Sequence, residues 1–373
     1  MSKIKDFKKW QILLILPLVL TLSACSINVQ TKGGGGNDGG VFVTNNKGDV
    51  WRQMPYTPTI SGAPGSIANT DIERMYMDPS DSGAVYLATV SDGLYYTYNV
   101  GRGWNKVHSL PSTAVNDMAI DNKNKCTIFV AMENKLYKTI DCKRTFTEVY
   151  FDNNTGVSIT AVAVDHYNTQ NVYIGTSRGD VLRSLDGGFS WRAIQRLNDS
   201  IRRILINPKD SRSIFVVTNR NGVFRFNPEG GATLEQLEEY RNTFDNINWV
   251  DYNSALKEFN LGINFKDISF SADDNSLLLA TDRVILRSFD EGQSWIRLPL
   301  LTPDQDSFIN SVAVNPKNSS ELFYVTDTSF YRSVDGGENW SVRRLPTTRS
   351  GKHLLIDFNN PEIMYMAIKR IKK

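Results

Sequence analysis

Ser184-Leu185-Asp186-Gly187-Gly188-Phe189-Ser190-Trp191 is an eight-residue phrase that returns along the chain with small changes. It recurs as Ser288-Phe289-Asp290-Glu291-Gly292-Gln293-Ser294-Trp295 and as Ser333-Val334-Asp335-Gly336-Gly337-Glu338-Asn339-Trp340. Looser copies run from Thr44 through Asn46 to Trp51 and from Thr97 through Asn99 to Trp104. The loosest, Thr139 through Asp141 to Phe146, has no glycine. Each part has a physical task in a hairpin turn. The Asp or Asn side chain accepts hydrogen bonds from N–H groups of its own turn. Gly188, Gly292 and Gly337 supply the positive φ that the turn requires. The aromatic residue opens the returning strand and buries a large surface.

The first residues of the copies stand at 44, 97, 139, 184, 288 and 333, so the unit is about 45 residues. Before each copy lie short alternating segments separated by polar turns, as in Asp165 to Arg183. Four short strands per unit at this period predict an all-β ring of blades, a β-propeller. The long gap between 184 and 288 holds a unit without its turn phrase. There Val223-Phe224-Arg225-Phe226 is a third strand, residues 231–246 form a helical insertion, and Ile247 to Val250 is a fourth strand. With Phe146, the tryptophans 51, 104, 191, 249, 295 and 340 give one aromatic to each of seven units. At the C-terminus His353 to Phe358 and Ile363 to Ala367 are two strands without a turn phrase, and Val41 to Trp51 is a strand and turn phrase with nothing before it. Joined, they complete a seventh blade and remove both exposed sheet edges. The prediction is one seven-bladed propeller over residues 40–373.

The phrase is similar to the Asp-box, or BNR repeat, Ser/Thr-x-Asp-x-Gly-x-x-Trp. That resemblance implies a propeller of the kind found in sialidases, xyloglucanase-type glycoside hydrolases, the sortilin receptor domain and photosystem II assembly factors. It also implies that the box aspartates are structural and lie away from any active site.

The N-terminus is an address. Lys3, Lys5, Lys8 and Lys9 precede an apolar run from Trp10 to Leu22, too short to span a bilayer comfortably, and then Leu22-Ser23-Ala24-Cys25. This resembles the lipobox of bacterial lipoproteins, which implies cleavage after residue 24 and acylation of Cys25, with the protein held at a membrane in the cell envelope. The Gly-rich residues 25–39 read as a tether reaching about 20 Å. No strand precedes these glycines and no Lys-Ser/Thr follows, so a phosphate loop is excluded.

The chain has 373 residues, 42 Lys+Arg against 40 Asp+Glu, and 40% apolar residues, which suffices for a core and excludes general disorder. Residues 1–24 hold four Lys and one Asp, so the remainder carries a formal charge of −1. Neither nucleic acid nor nucleotide is an expected partner. Cys126 and Cys142 flank a hairpin centred on residue 134, where they form either a disulfide, which an extracytoplasmic compartment permits, or two free thiols.

No cofactor is implied. His108, His166 and His353 lie in different blades without metal-ligand spacing. The Arg-Ile-Pro motif of sialidases is missing, and Arg183, Arg287 and Arg332 recur at one repeat position, which reads as scaffold. Xyloglucanase-type enzymes place one carboxylate on each of two propellers, and one propeller is expected here. Lys369, Arg370, Lys372 and Lys373 read as solvated charge, or more sharply as a docking patch. The expected function is a non-catalytic binding or assembly scaffold for a protein or glycan, with Tyr240, Arg241 and Phe244 of the insertion as contacts. The alternative is a glycoside hydrolase. It predicts acids clustered at one channel mouth, whereas binding predicts an apolar or aromatic patch near the insertion.

Overall fold

The computed structural model describes residues 37–227, 249–259, 264–271, 273–301 and 308–371. Cys25 and the 231–246 insertion, with Tyr240, Arg241 and Phe244, lie outside these residues, as do Lys372 and Lys373.

Seven four-stranded antiparallel sheets make the expected seven-bladed propeller. The innermost strands are Ile72–Asp78, Asp117–Ile120, Ile159–Val164, Ile201–Asn207, Phe265–Phe270, Ile309–Asn315 and Ser350–Ile356, which number blades one to seven. Blade seven is completed by Met364–Lys369, then Val41–Thr44 and Arg52–Gln53 from the start of the propeller. Val41 pairs with Ala367 and Thr44 with Met364, so chain closure is a full strand ladder. The innermost strand of this blade begins at Ser350, three residues before the apolar pattern does, because Gly351 has no side chain to announce it. Blade four ends on Trp249–Asp251, followed by a single helical turn, Asn253–Leu256. A two-stranded hairpin, Tyr56–Thr57 with Gly65–Ser66, was not expected and lies between blades seven and one.

The core lies between the blades. Seven apolar clusters occupy the seven blade interfaces, and each takes one repeat aromatic: Trp51, Trp104, Phe146, Trp191, Trp249, Trp295 and Trp340. Trp104 is fully buried, and its indole N–H donates to the Met54 carbonyl at 2.8 Å. Burying about 200 Å² of indole contributes about 5 kcal/mol as an upper figure.

The turn phrase builds itself locally. Ser184 Oγ donates to Asp186 Oδ1 at 2.7 Å and accepts from Gly188 N at 2.8 Å. Asp186 Oδ1 also accepts from the N–H groups of Phe189 and Ser190. The fourth and fifth positions both adopt positive φ, 71° and 96° at Gly187 and Gly188. Glycine at the fifth position also allows close approach to the preceding blade: a Cβ on Gly188 would meet Phe129 at 3.1 Å. The phrase without glycine folds the same way, with Cys142 and Lys143 at φ 59° and 76°. Asp141 there accepts from the N–H groups of Arg144 and Thr145.

Candidate functional site: a two-chambered central channel

Strand alternation gives the propeller two faces. The innermost strands start on an upper face, shared with the crossovers between blades. They end on a lower face, shared with the Asp-box turns. The boxes therefore lie on the face opposite the channel's upper mouth.

Two rings of side chains line the channel beneath that mouth. In six of the seven innermost strands the register slips by one residue, between Ile72 and Arg74, Ile159 and Ala161, Ile201 and Arg203, Phe265 and Asp267, Ile309 and Ser311, and Gly351 and His353. The skipped residues, with Asn116 of blade two, form the upper ring: Glu73, Asn116, Thr160, Arg202, Lys266, Asn310 and Lys352. The residues after them form the lower ring: Arg74, Asp117, Ala161, Arg203, Asp267, Ser311 and His353.

The charged members of the lower ring pair with one another, while Arg203 Nε and His353 Nδ1 are left without a partner. Arg74 lies 3.4 Å from Asp267, which also accepts from Ser311 Oγ at 2.8 Å. Arg203 lies 3.3 Å from Asp117, which accepts further from Tyr76 Oη and from Val162 N. Burial, the largest single effect, would raise the Asp267 carboxyl, but Arg74, His353, Arg203 and the Ser311 hydrogen bond together hold it down at about 2. Burial, reinforced by Arg74, pushes His353 down to about 3. This ring divides the channel. Above it is a chamber of about 370 Å³ whose walls mix charged and polar groups with apolar ones such as Val90, Val115 and Ile201. Below it is one of about 460 Å³ lined mainly by apolar residues, among them Met77, Leu205, Phe270, Val314 and Ile356.

The upper ring is unbalanced. Its one acid, Glu73, is clamped by Lys352 at 3.1 Å and Lys369 at 2.8 Å. Burial would raise this carboxyl too, but the two lysines hold it at about 2. The two asparagines staple neighbouring blades: Asn116 donates to the Ile159 carbonyl and Asn310 to the Gly351 carbonyl, while Thr160 donates to the Gly175 carbonyl within its own blade. Arg202 donates through Nε to the Lys266 carbonyl at 3.3 Å, and neither Arg202 nor Lys266 meets a carboxylate within ion-pair distance among the described residues. The Arg202 proton is held less tightly than usual, because of burial and then because of Arg74.

The residues singled out in sequence are otherwise scattered. His353 is in the channel, His166 is half-buried elsewhere and His108 is exposed. Arg287 and Arg332 reach back to Asp274 and Glu321 of their own blades, a scaffold role. Lys369 and Arg370 are paired with Glu73 and Asp71. Cys126 and Cys142 are bonded to each other. The channel rings themselves were not anticipated. Their signal is the triplet that opens each innermost strand, such as Ile72-Glu73-Arg74, Ile201-Arg202-Arg203 and Phe265-Lys266-Asp267.

No family model matches the chain. It is 21% identical over 358 residues to the xyloglucanase Xgh74A of Acetivibrio thermocellus, covering 82% of this chain and 37% of the enzyme. The chain thus spans little more than a third of that curated relative. Among solved structures, the GH74 xyloglucanase of Xanthomonas campestris superposes with a TM-score of 0.62 at 14% identity, covering 80% of this chain and 51% of the other. YCF48 bound to D1 peptide gives a TM-score of 0.59 at 15% identity, covering 82% of this chain and 94% of the other. At these identities the shared property is the seven-bladed propeller fold.

Proposed function

We propose that this chain is a non-catalytic binding scaffold, anchored to a bacterial envelope membrane through acylated Cys25, that receives a partner at the upper mouth of its channel. The carrying observation is the state of the channel carboxylates. Glycoside hydrolysis needs a carboxyl that keeps a proton near neutral pH. Glu73 and Asp267 are both held ionised at about 2 by adjacent cations. Asp117 spends its oxygens on Arg203, Tyr76 and Val162. A peptide-bound solved structure of similar fold supports a polypeptide as the partner class.

The second reading is a glycoside hydrolase, favoured by the xyloglucanase relative. One assay separates the two. The full chain is incubated with xyloglucan and a panel of chromogenic glycosides. The scaffold reading expects no turnover. Turnover that disappears in Glu73→Gln or Asp267→Asn, with the variant still folded, would overturn it.

A further inference from the structure

We infer that the upper chamber is a binding site for the carboxylates of an acidic polypeptide segment, with Arg202 and Arg203 in its wall and Lys266, next to Arg202 on the adjacent blade, at its edge. The inference deepens the scaffold reading by naming the ligand chemistry.

The first ground is hydrogen bonding. Buried donors are nearly always satisfied. Arg203 Nε is buried and has no acceptor. The terminal nitrogens of Arg202 donate to no acceptor among the described residues, its one bond being from Nε. A carboxylate takes two parallel N–H bonds from a guanidinium, and the terminal nitrogens of Arg202 offer such a pair.

The second ground is the charge pattern around the ring. Arg74 faces Asp267, Arg203 faces Asp117 and Lys352 faces Glu73, each a cation matched by an acid of the chain. Arg202 and Lys266, on adjacent blades four and five, are the neighbours without one. Burial and the like charge of Arg74 disfavour the Arg202 cation. Glu73 and Asp267 offset this only from beyond ion-pair distance, and an anion in direct contact would offset it further.

The third ground is the wall. Among the described residues, no aromatic side chain lines the upper chamber, so a sugar ring finds no stacking face there. Asn116, Ser200 and Asn219 present amide and hydroxyl groups suited to a peptide backbone, and Val90, Val115 and Ile201 present apolar surface beside them. The volume, about 370 Å³, is within the range of small-ligand pockets and admits side chains rather than a folded domain.

The test is fluorescence anisotropy of the full chain with labelled hexaglutamate and hexaglutamine peptides at low salt. The expected result is binding of hexaglutamate alone, weakening steeply as salt rises. Lys266→Gln should weaken it about tenfold, and Arg202→Gln more. Lys266 forms no ion pair among the described residues, so its replacement breaks no salt bridge there and keeps the test decisive if the Arg202 variant unfolds. Three results would overturn the inference: no binding of hexaglutamate, equal binding by Lys266→Gln, or displacement by inorganic phosphate or polygalacturonate in preference to hexaglutamate. The glycosidase assay fails or succeeds independently, so loss of this site leaves the scaffold reading standing, and turnover leaves the peptide result standing.

Discussion

The Arg74 guanidinium lies 3.3 Å from His353 Nε2, deep in the channel. A guanidinium only donates, so Nε2 is the acceptor and the proton of the neutral ring is on Nδ1. That proton has no partner. A buried neutral histidine beside a permanent cation has a direct consequence for acid stability.

His353 titrates near 6.5 when unfolded and at about 3 in the native channel, pushed down by burial and by Arg74. The unfolded chain therefore binds more protons between these values. Its contribution is complete above pH 6.5 and is lost as pH falls toward 3. The carboxylates Glu73 and Asp267 add to the loss only below about 4.5. Between pH 6.5 and 5 the His353 share is about 2 kcal/mol. Urea unfolding of His353→Gln across this window should show a flatter pH slope than the parent. Identical slopes would mean that His353 is not held neutral by the fold.

The Arg74 to Asp267 pair makes a separate prediction. Both side chains are nearly inaccessible, at 11% and 5% exposure, so removing one strands the other. Arg74→Met should lower stability by about 3–5 kcal/mol. The double variant Arg74→Met, Asp267→Asn should recover part of that, because no bare charge remains. A double variant less stable than the single one would refute the account.

How much of this was visible in the chain depends on the range of the interactions. The Asp-box turn closes over five residues, from Ser184 Oγ to Gly188 N, so its chemistry is legible in eight letters. The aromatic is legible for the same reason in the six units that carry the phrase, and Trp249 only from its place in the count. The channel rings are assembled differently. Arg74 meets a carboxylate 193 residues away and Lys369 one 296 residues away. Nothing local announces such pairs. Only aligning the seven strand openings on one another would have shown that Glu73, Arg202, Lys266 and Lys352 share a level. Tyr240, Arg241 and Phe244 stand out in the sequence because they interrupt the repeat. The channel residues are instead variations at an ordinary repeat position, which the eye passes over.

Lys143 occupies the glycine position of the third turn at φ 76°, a conformation that costs a non-glycine residue about 1–2 kcal/mol. Its ammonium lies within 4.7–5.3 Å of the ring centres of Tyr86, Tyr96 and Tyr98 and donates to Tyr98 Oη at 2.5 Å. A buried cation among several aromatic rings recovers about 2 kcal/mol. Lys143→Met keeps the backbone cost and drops the cation, so denaturant midpoints should show a loss of about 1–2 kcal/mol. A neutral result would assign the Lys143 contacts no energetic role.

The Cys126–Cys142 bond ties the turn after the innermost strand of blade two to this same third box turn, with Cys142 N also donating to Cys126 O at 3.3 Å. Cys142 and Lys143 are consecutive non-glycine residues at positive φ, so this turn has the least intrinsic preference for its shape. The bond spans 16 residues, for which loop-closure entropy gives about 3 kcal/mol. The paired replacement Cys126→Ser, Cys142→Ser should therefore lower the unfolding free energy by about that amount. It should also speed amide exchange in residues 140–146 more than in the glycine-containing turn at 184–191. Mass spectrometry of the untreated chain checks the premise. Two alkylatable thiols at Cys126 and Cys142 without reductant would show that the turn holds its shape without the bond, leaving the Lys143 contacts to do so.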